Sequence, residues 1–298
     1  MKAKPHTPVL NPYQIPRVVR HYLETHPWVS AYEEAGRWLS QQLLALLTGR
    51  LRVLEIGSGG GELAWSLTQE LVGASRDYEI CLVEPSRLMR GAATHVALEQ
   101  DPRVIVCPHP FPQAECPHEQ SPFQCVIAIV SLHHIAKWRA ATSTLLGDCD
   151  GPMAFVLGQA AGDAVLVSTG QGGSTADEAA KQFWAEYHHF LGIRGFSGNE
   201  RPDDLTPLDY SPAQLALRKF GFKTTARHEW EVAKPLTFEK LLSWIEHGAL
   251  TSLLALGDHA NRGEMAEHMR NWLRKRSVPL HKEWIFHGGV QMQVMFRT

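Results

Sequence analysis

The sequence predicts an α/β fold built on a doubly wound, mostly parallel sheet with an antiparallel C-terminal strand. Two observations predict it. Short apolar runs alternate with helical patterns from Leu51 onward, and the first run ends in a glycine-rich turn that leads into a helical pattern. The chain has 298 residues, of which 44% are hydrophobic and 20% are charged, which suits one large domain with additional helices.

The first half of the chain carries most of the predicted sheet. Helices are predicted over residues 1–49, because apolar side chains recur at three- and four-residue steps between residues 32 and 46. They are interpreted as an N-terminal cap over a pocket, with simple core packing as the alternative. Strands are predicted at Leu51–Ile56, Tyr78–Val83, Val104–Cys107, 123–130 and 153–157, with helices at 61–72, 85–99 and 137–146.

The second half adds helices and two strands. A helix over 176–191 and another in SPAQLALRKFG form a predicted inserted lid at about 174–220. Further strands are predicted in FKTTARHEWEV and EWIFHGGVQMQVMFRT, with helices near 238–254 and 264–275 between them. The predicted organisation is therefore a cap (1–49) and a ligand-binding domain (50–298) that carries the lid.

The stretch LRVLEIGSGGGELAW places a buried strand, a glycine turn and a helix N-terminus in succession, which is typical of nucleotide-type sites. A dinucleotide-binding pattern can be matched in the register Gly59, Gly61 and Ala64. That register extends the strand through Gly57. A register that begins at Gly57 instead puts the bulky Glu62 where close helix–strand packing requires a small residue. The dinucleotide pattern therefore fits poorly.

Three motifs fit another class of ligand. Glu55 is followed at alternate positions by Gly57, Gly59 and Gly61, an order that resembles the first motif of class I S-adenosylmethionine-dependent methyltransferases. Glu84 ends the second predicted strand, 23 residues beyond the last glycine. The stretch FQCVIAIVSLHHI resembles the fourth-strand motif of the small-molecule branch of that family. The resemblance covers residues 51–135 and implies a Rossmann-like methyltransferase fold over 50–298, with S-adenosylmethionine as cofactor.

The resemblance implies a role for the residues of the first motif. Gly57, Gly59 and Gly61 would let the backbone approach the amino-acid and ribose parts of the cofactor. Glu55 would accept a hydrogen bond, directly or through water, from the cofactor's ammonium group.

Residues after the second and fourth strands complete the implied site. Glu84 would accept hydrogen bonds from both ribose hydroxyls, and Met89 would pack on the adenine. Ser131 would lie near the methionine moiety of the cofactor. The chain departs from the family pattern at Gln124, where the fourth-strand motif usually has an acidic residue.

Candidate catalytic residues follow the fourth and fifth strands. His133 and His134 lie where the crevice at the carboxyl ends of parallel strands opens, and a neutral imidazole there can take a proton from an acceptor. Tyr187 belongs to the aromatic stretch FWAEYHHF, which suits a sulfonium cation or an apolar substrate, and it is a candidate orienting group. Core packing is the alternative role for Tyr187, as structural roles are for both histidines.

The predicted function is transfer of the methyl group of S-adenosylmethionine to a small-molecule acceptor by in-line displacement. Two alternatives stay open. One is a non-methylating enzyme that cyclises S-adenosylmethionine to azetidine-2-carboxylate and releases methylthioadenosine. The other is a homologue that binds the cofactor without catalysis. The identity of the acceptor and the oligomeric state are left open by the sequence.

Composition bears on partners and location. The formal net charge of −2, the pI near 6.8 and the lack of a Lys/Arg block disfavour a nucleic-acid partner. No signal-like segment or membrane-length apolar run is present, and five scattered cysteines favour reduced thiols, so a cytoplasmic location without membrane partners is predicted. The repeated CPH motif lacks the usual zinc-ligand spacing, so no metal is predicted.

Overall fold

The protein is described from a computed structural model. The model describes residues 16, 19–20, 23, 29–112, 123–135, 137–147, 151–168, 178, 182–183, 185–187, 189–190, 209–247 and 259–298.

Seven strands form one sheet in the order β3-β2-β1-β4-β5-β7-β6, in which β1 to β5 pair in parallel and one strand is antiparallel. The strands are β1 (Leu51–Ile56), β2 (Tyr78–Val83), β3 (Val104–Cys107), β4 (Cys125–Ile129), β5 (Met153–Ser168), β6 (Lys223–Thr237) and β7 (Glu283–Arg297). The predicted doubly wound, mostly parallel fold is confirmed. β1 to β3 have the predicted bounds, whereas β5, β6 and β7 are long strands of 15 or 16 residues.

The register places the carboxyl ends of the central strands together. β1 pairs in parallel with β2, with Ile56 opposite Val83. On its other side β1 pairs in parallel with β4, with Glu55 opposite Ile127. Because β1 lies at the point where the strand order reverses, the loops that follow β1, β2 and β4 converge on one edge of the sheet.

Helices connect the strands. They are α1 (Val29–Leu46), α2 (Glu62–Gly73), α3 (Arg87–Arg90), α4 (Ala93–Leu98), α5 (Trp138–Gly147), α6 (Ser211–Lys219), α7 (Phe238–His247) and α8 (His259–Lys275), with a 3₁₀ turn at Leu132–His134. The prediction of one helix over 85–99 is wrong, because the chain leaves the helix after Arg90. Ala92 has extended backbone angles (φ −63°, ψ 145°) and serves as the N-cap of α4.

The helices cover both faces of the sheet. On one face, Leu39 and Leu43 of α1 and Leu67 of α2 are fully buried against β-strand residues such as Val53. On the other face, Trp138 of α5 and Leu217 of α6 pack with Phe155 and other buried side chains. Strands β1, β2 and β4 are therefore buried on both faces, which explains their nearly continuous apolar sequences.

Arg52 interrupts the apolar run of β1 for a structural reason. It lies opposite Glu79 of β2 in the register, and its Nη2 donates to Oε1 of that carboxylate at 3.0 Å. The Oε1 atom of Gln124 accepts a hydrogen bond from the backbone N of Arg52 at 3.2 Å. Gln124, which departs from the family pattern, therefore has a structural role at the end of β1 opposite the glycine turn.

The chain divides into two compact units. Unit 1 contains residues 1–26, 165–200 and 234–286, and unit 2 contains residues 27–164, 201–233 and 287–298. In unit 2, α1 packs on α2: Ser66 Oγ donates to the carbonyl oxygen of Glu33 at 2.6 Å. The cap over 1–49 and the lid at about 174–220 stay predictions, because residues 1–15 and 191–208 lie outside the described residues.

Unit 1 has its own aromatic core. Phe238 lies between Phe183 and Trp284, with ring centroids 5.3 Å and 5.2 Å away. Nε2 of His268 lies 2.7 Å from Oε1 of Glu186. The described residues of the predicted helix over 176–191 are helical.

The cysteines and the helices bear on two predictions drawn from composition. The expectation of reduced thiols holds for Cys107 and Cys125, which are buried and form no disulfide, but is wrong for Cys81, which is disulfide-bonded. No helix within the described ranges is both long and apolar enough to cross a bilayer.

Candidate cofactor-binding site

The glycine-rich turn joins the end of β1 to the start of α2. β1 ends at Ile56, and α2 begins at Glu62. Gly57, Gly59 and Gly61 all have left-handed backbone angles, with φ of +73°, +58° and +87°. These angles favour glycine, because a Cβ would clash with the backbone. The strand therefore ends before Gly57, as predicted, and the turn contains the three alternating glycines.

The turn is also closely packed. A Cβ built on Gly57 would lie 2.6 Å from Cβ of Ser131, and a Cβ built on Gly61 would lie 3.0 Å from Cδ1 of Leu98. The backbone N of Gly57 donates to the carbonyl oxygen of Val83 at 2.8 Å. Neighbouring segments thus fix the position of the turn at both of its ends.

Glu84 holds the middle of the turn from the end of β2. Its Oε2 accepts a hydrogen bond from the backbone N of Gly59 at 2.9 Å, and its Oε1 accepts one from the backbone N of Ser86 at 2.7 Å. Met89 is 3% exposed, and its Cε lies 3.5 Å from the position of a Cβ on Gly59. Glu84 and Met89 therefore lie at the turn as predicted, while their contacts with ribose and adenine stay predictions.

Glu55 is a buried carboxyl group beside the turn. It is 4% exposed, and within the described part of the chain its Oε2 has no hydrogen-bond partner. Burial, reinforced by the nearby carboxylates of Glu62 and Glu84, raises the pKa of Glu55 to about 8.

The two neighbouring carboxyl groups are perturbed in the same direction. Burial raises the pKa of Glu84 to about 7, although hydrogen bonds from Ser86 and Gly59 and the charge of Arg90 oppose the shift. Burial also raises the pKa of Glu62. A cationic ligand at this edge of the sheet would relieve the mutual repulsion of these carboxylates.

The segment after β4 supports the turn from the other side. Ser131 is buried, and its Oγ donates to the carbonyl oxygen of Ile56 at 2.5 Å. His134 is exposed, and its backbone N donates to the carbonyl oxygen of Ser131 at 2.9 Å. The side chain of His133 lies outside the described part of the structure. Catalytic roles for His133 and His134, and a contact between Ser131 and the methionine moiety, stay predictions.

Tyr187 belongs to a different part of the chain from the other candidate residues. It lies in unit 1 and is completely buried, whereas the glycine turn belongs to unit 2. Its role as an orienting group stays a prediction.

One pair of residues at the turn was not predicted from the sequence. Oγ of Ser58 lies 3.1 Å from Nε2 of His95, and both side chains are buried. The signal for His95 was its spacing: it lies three residues before Leu98 in the predicted helix, on the face that packs against Gly61.

The residues at this edge fit S-adenosylmethionine, which carries an ammonium group, a sulfonium group and a ribose diol. The buried Oε2 of Glu55 can accept from the ammonium group without losing an existing hydrogen bond. Both oxygens of Glu84 keep lone pairs beyond those already used, so this carboxylate can also accept from hydroxyl groups. The glycines leave the backbone of the turn open to close approach by a ligand.

Comparisons with known proteins concern the family and the fold. A family model for a methyltransferase domain matches residues 27–156. No curated protein matches the sequence. A candidate type II methyltransferase from Anaeromyxobacter dehalogenans is 16% identical with a TM-score of 0.50, over 88% of this chain and 94% of that chain. A methyltransferase from Thiobacillus denitrificans, solved with S-adenosylhomocysteine, is 16% identical with a TM-score of 0.42, over 94% and 98%.

The fold and the family match point to one class of protein. Residues 27–156, which include the glycine turn, Glu55 and Glu84, match the model of a methyltransferase domain. The family match supports assignment of the protein as a transferase, and the residues of the site fit S-adenosylmethionine as its cofactor. The similarity to the Anaeromyxobacter structure supports the fold alone, because the sequence identity is only 16%.

Proposed function

We propose that the protein transfers the methyl group of S-adenosylmethionine to a small-molecule acceptor. The observation that carries the proposal is the buried, unpartnered Oε2 of Glu55 at the glycine turn, among the described residues, with Glu84 on the next strand. When bound, the cofactor supplies a methyl group activated by its sulfonium. The near-neutral composition supports a small acceptor rather than a nucleic acid, which usually requires a basic surface.

In this proposal the chain acts mainly by binding and orientation. Glu55 would ionise on accepting from the ammonium group, and Glu84 would hold the ribose hydroxyls. The acceptor's nucleophilic atom forms a bond to the methyl carbon as the bond from that carbon to sulfur breaks, which leaves S-adenosylhomocysteine. An acceptor that carries a proton on the attacking atom transfers it to a base, for which His133 and His134 are the candidates.

The test is a product analysis by mass spectrometry. Purified protein is incubated with S-adenosylmethionine alone and with a panel of small amines, phenols, thiols and carboxylic acids. We expect S-adenosylhomocysteine and a methylated acceptor, formed in equal amounts and only when a suitable acceptor is present.

Two matched variants, together with measurement of methylthioadenosine beside S-adenosylhomocysteine, make this test decisive. Glu84→Ala should abolish turnover, whereas Glu99→Ala, which removes an exposed carboxylate in the same unit, should retain it. Steady release of methylthioadenosine without an acceptor, lost in Glu84→Ala, would show instead that the amino-acid arm is cyclised or eliminated.

A further inference from the structure

His95 contacts the glycine turn through one edge of its imidazole ring. The residue lies in α4 and is completely buried. Its Nε2 lies 3.1 Å from Oγ of Ser58, and its Cδ2 lies 3.4 Å from the position that a Cβ on Gly61 would occupy. Because Nε2 and Cδ2 are neighbouring ring atoms, one side chain fixes the turn at two positions.

The surroundings of His95 determine where its proton lies. Burial and the positive charge of Arg90 lower the pKa of His95 to about 4, although the residue's own backbone opposes the shift, so the ring is neutral at pH 7 and carries one N–H. Nδ1 is buried without a hydrogen-bond partner among the described residues. A proton on Nδ1 would bury an unsatisfied donor, whereas a proton on Nε2 leaves only a lone pair unsatisfied. The Nε2–H tautomer is therefore favoured, and it donates to Oγ of Ser58.

This polarity has a consequence for Ser58. The hydroxyl oxygen uses a lone pair to accept from His95, so its own hydrogen is left to donate elsewhere. Within the described ranges the Ser58 hydroxyl makes no second hydrogen bond, and the side chain lies between Gly57 and Gly59 in the turn. A buried donor in this position is suited to an oxygen of a bound ligand.

We infer that His95 is a positioning residue of the cofactor site: it holds Ser58 so that the serine hydroxyl donates to an oxygen of bound S-adenosylmethionine. The inference rests on the assignment of the glycine turn as the cofactor site. It adds a binding residue, Ser58, and a residue that acts through it, His95.

The experiment measures the Kd of S-adenosylhomocysteine by calorimetry, together with the Tm of each free protein. Ser58→Ala and His95→Leu should each raise Kd about fivefold, as expected for the loss of one hydrogen bond. The double variant should also bind about fivefold more weakly than wild type, rather than the about 25-fold that independent effects would give, because both changes break the same link.

Two conservative variants separate positioning from packing. His95→Gln places its amide near the position of Nε2 and should restore a Kd close to that of wild type, whereas the shorter His95→Asn should not. Thr68→Val is the matched control: it removes a buried hydroxyl of α2 that donates to the carbonyl oxygen of Ala64 at 2.7 Å. It should lower Tm and leave Kd unchanged.

The outcomes are distinct. A wild-type protein that does not bind S-adenosylhomocysteine would overturn the cofactor site and this inference together. A wild type that binds, with Kd unchanged in Ser58→Ala and in His95→Leu, would overturn the inference alone. Multiplicative effects in the double variant, or equal Kd values for His95→Gln and His95→Asn, would also overturn it.

Discussion

Gly57→Ala tests whether the turn is fixed by close contact with the segment after β4. Two physical effects act on an alanine at this position. The backbone has φ of +73°, a conformation that costs an L-residue about 1–2 kcal/mol. In addition, the new Cβ would lie 2.6 Å from Cβ of Ser131 and 3.3 Å from its Oγ, so one of the two segments has to move.

The size of the effect follows from these two contributions. Insertion of a methyl group into a tightly packed site costs about 1–3 kcal/mol. Together with the backbone cost, Gly57→Ala should lower the free energy of unfolding by about 2–5 kcal/mol. For a domain of this size each kcal/mol shifts Tm by about 2–4 °C, so Tm should fall by about 4–20 °C.

Gly49→Ala is the matched control, measured by the same thermal unfolding followed by circular dichroism. Gly49 has φ of +70°, and a Cβ built on it meets nothing within 4 Å, so only the backbone contribution remains. Its Tm should fall by about 2–8 °C. Gly57→Ala combined with Ser131→Gly, which removes the opposing Cβ, should recover part of the loss.

Equal Tm values for Gly57→Ala and Gly49→Ala would refute this reasoning. That result would mean that the contact between Gly57 and Ser131 adds nothing to the cost of the left-handed backbone. The turn would then be able to move away from β4 without loss of stability.

Three further predictions concern carboxyl groups. Glu84→Ala should weaken S-adenosylhomocysteine binding by about 1.5–3 kcal/mol in calorimetry. The control variant Glu99→Ala should leave the Kd unchanged. An unchanged Kd in Glu84→Ala would exclude a contact between Glu84 and the ribose. Folded Glu55 has a pKa raised to about 8, so it keeps a proton that the unfolded chain loses near pH 4.5. The free energy of unfolding should therefore fall as the pH rises from about 4.5 to about 8. Glu55→Gln should make Tm less dependent on pH in this range. An unaltered dependence of Tm on pH would contradict the raised pKa of Glu55. Tyr78→Phe removes the hydroxyl that donates to Oδ2 of Asp101 at 2.5 Å. It should lower the free energy of unfolding, measured by urea titration, by about 1 kcal/mol. No change in that free energy would show that this hydrogen bond does not stabilise the fold.

The predicted secondary structure is most accurate where local pattern and burial agree. β1, β2 and β3 have the predicted bounds because each is a short apolar run enclosed by polar or glycine-rich segments. The same patterns were less informative for the long strands: β5 was predicted over 153–157 but extends to Ser168. After Leu157 the apolar run is interrupted by Gly158, Gln159, Gly162 and Asp163, so the sequence carries no continuous apolar signal for the rest of this strand.

The site could be predicted in part. Glu55, the three glycines and Glu84 are linked to the ends of strands by the sequence itself, and strand order then brings them to one edge of the sheet. The pair Ser58–His95 could not be predicted, because its members are separated by 37 residues and meet only when α4 packs on the turn. The same holds for Arg52 and Glu79, which are brought together by the register of β1 and β2.

By itself, the sequence determined the strand–turn–helix unit, since apolar runs and left-handed turn positions are local constraints that particular residue types satisfy. It also pointed to the class of the protein, because the order of Glu55, the glycines and Glu84 resembles that of a known family and is a property of the chain. Only the tertiary structure decided the protonation of Glu55 and of His95. Both pKa values are shifted mainly by burial, and burial depends on what the rest of the fold places around each group.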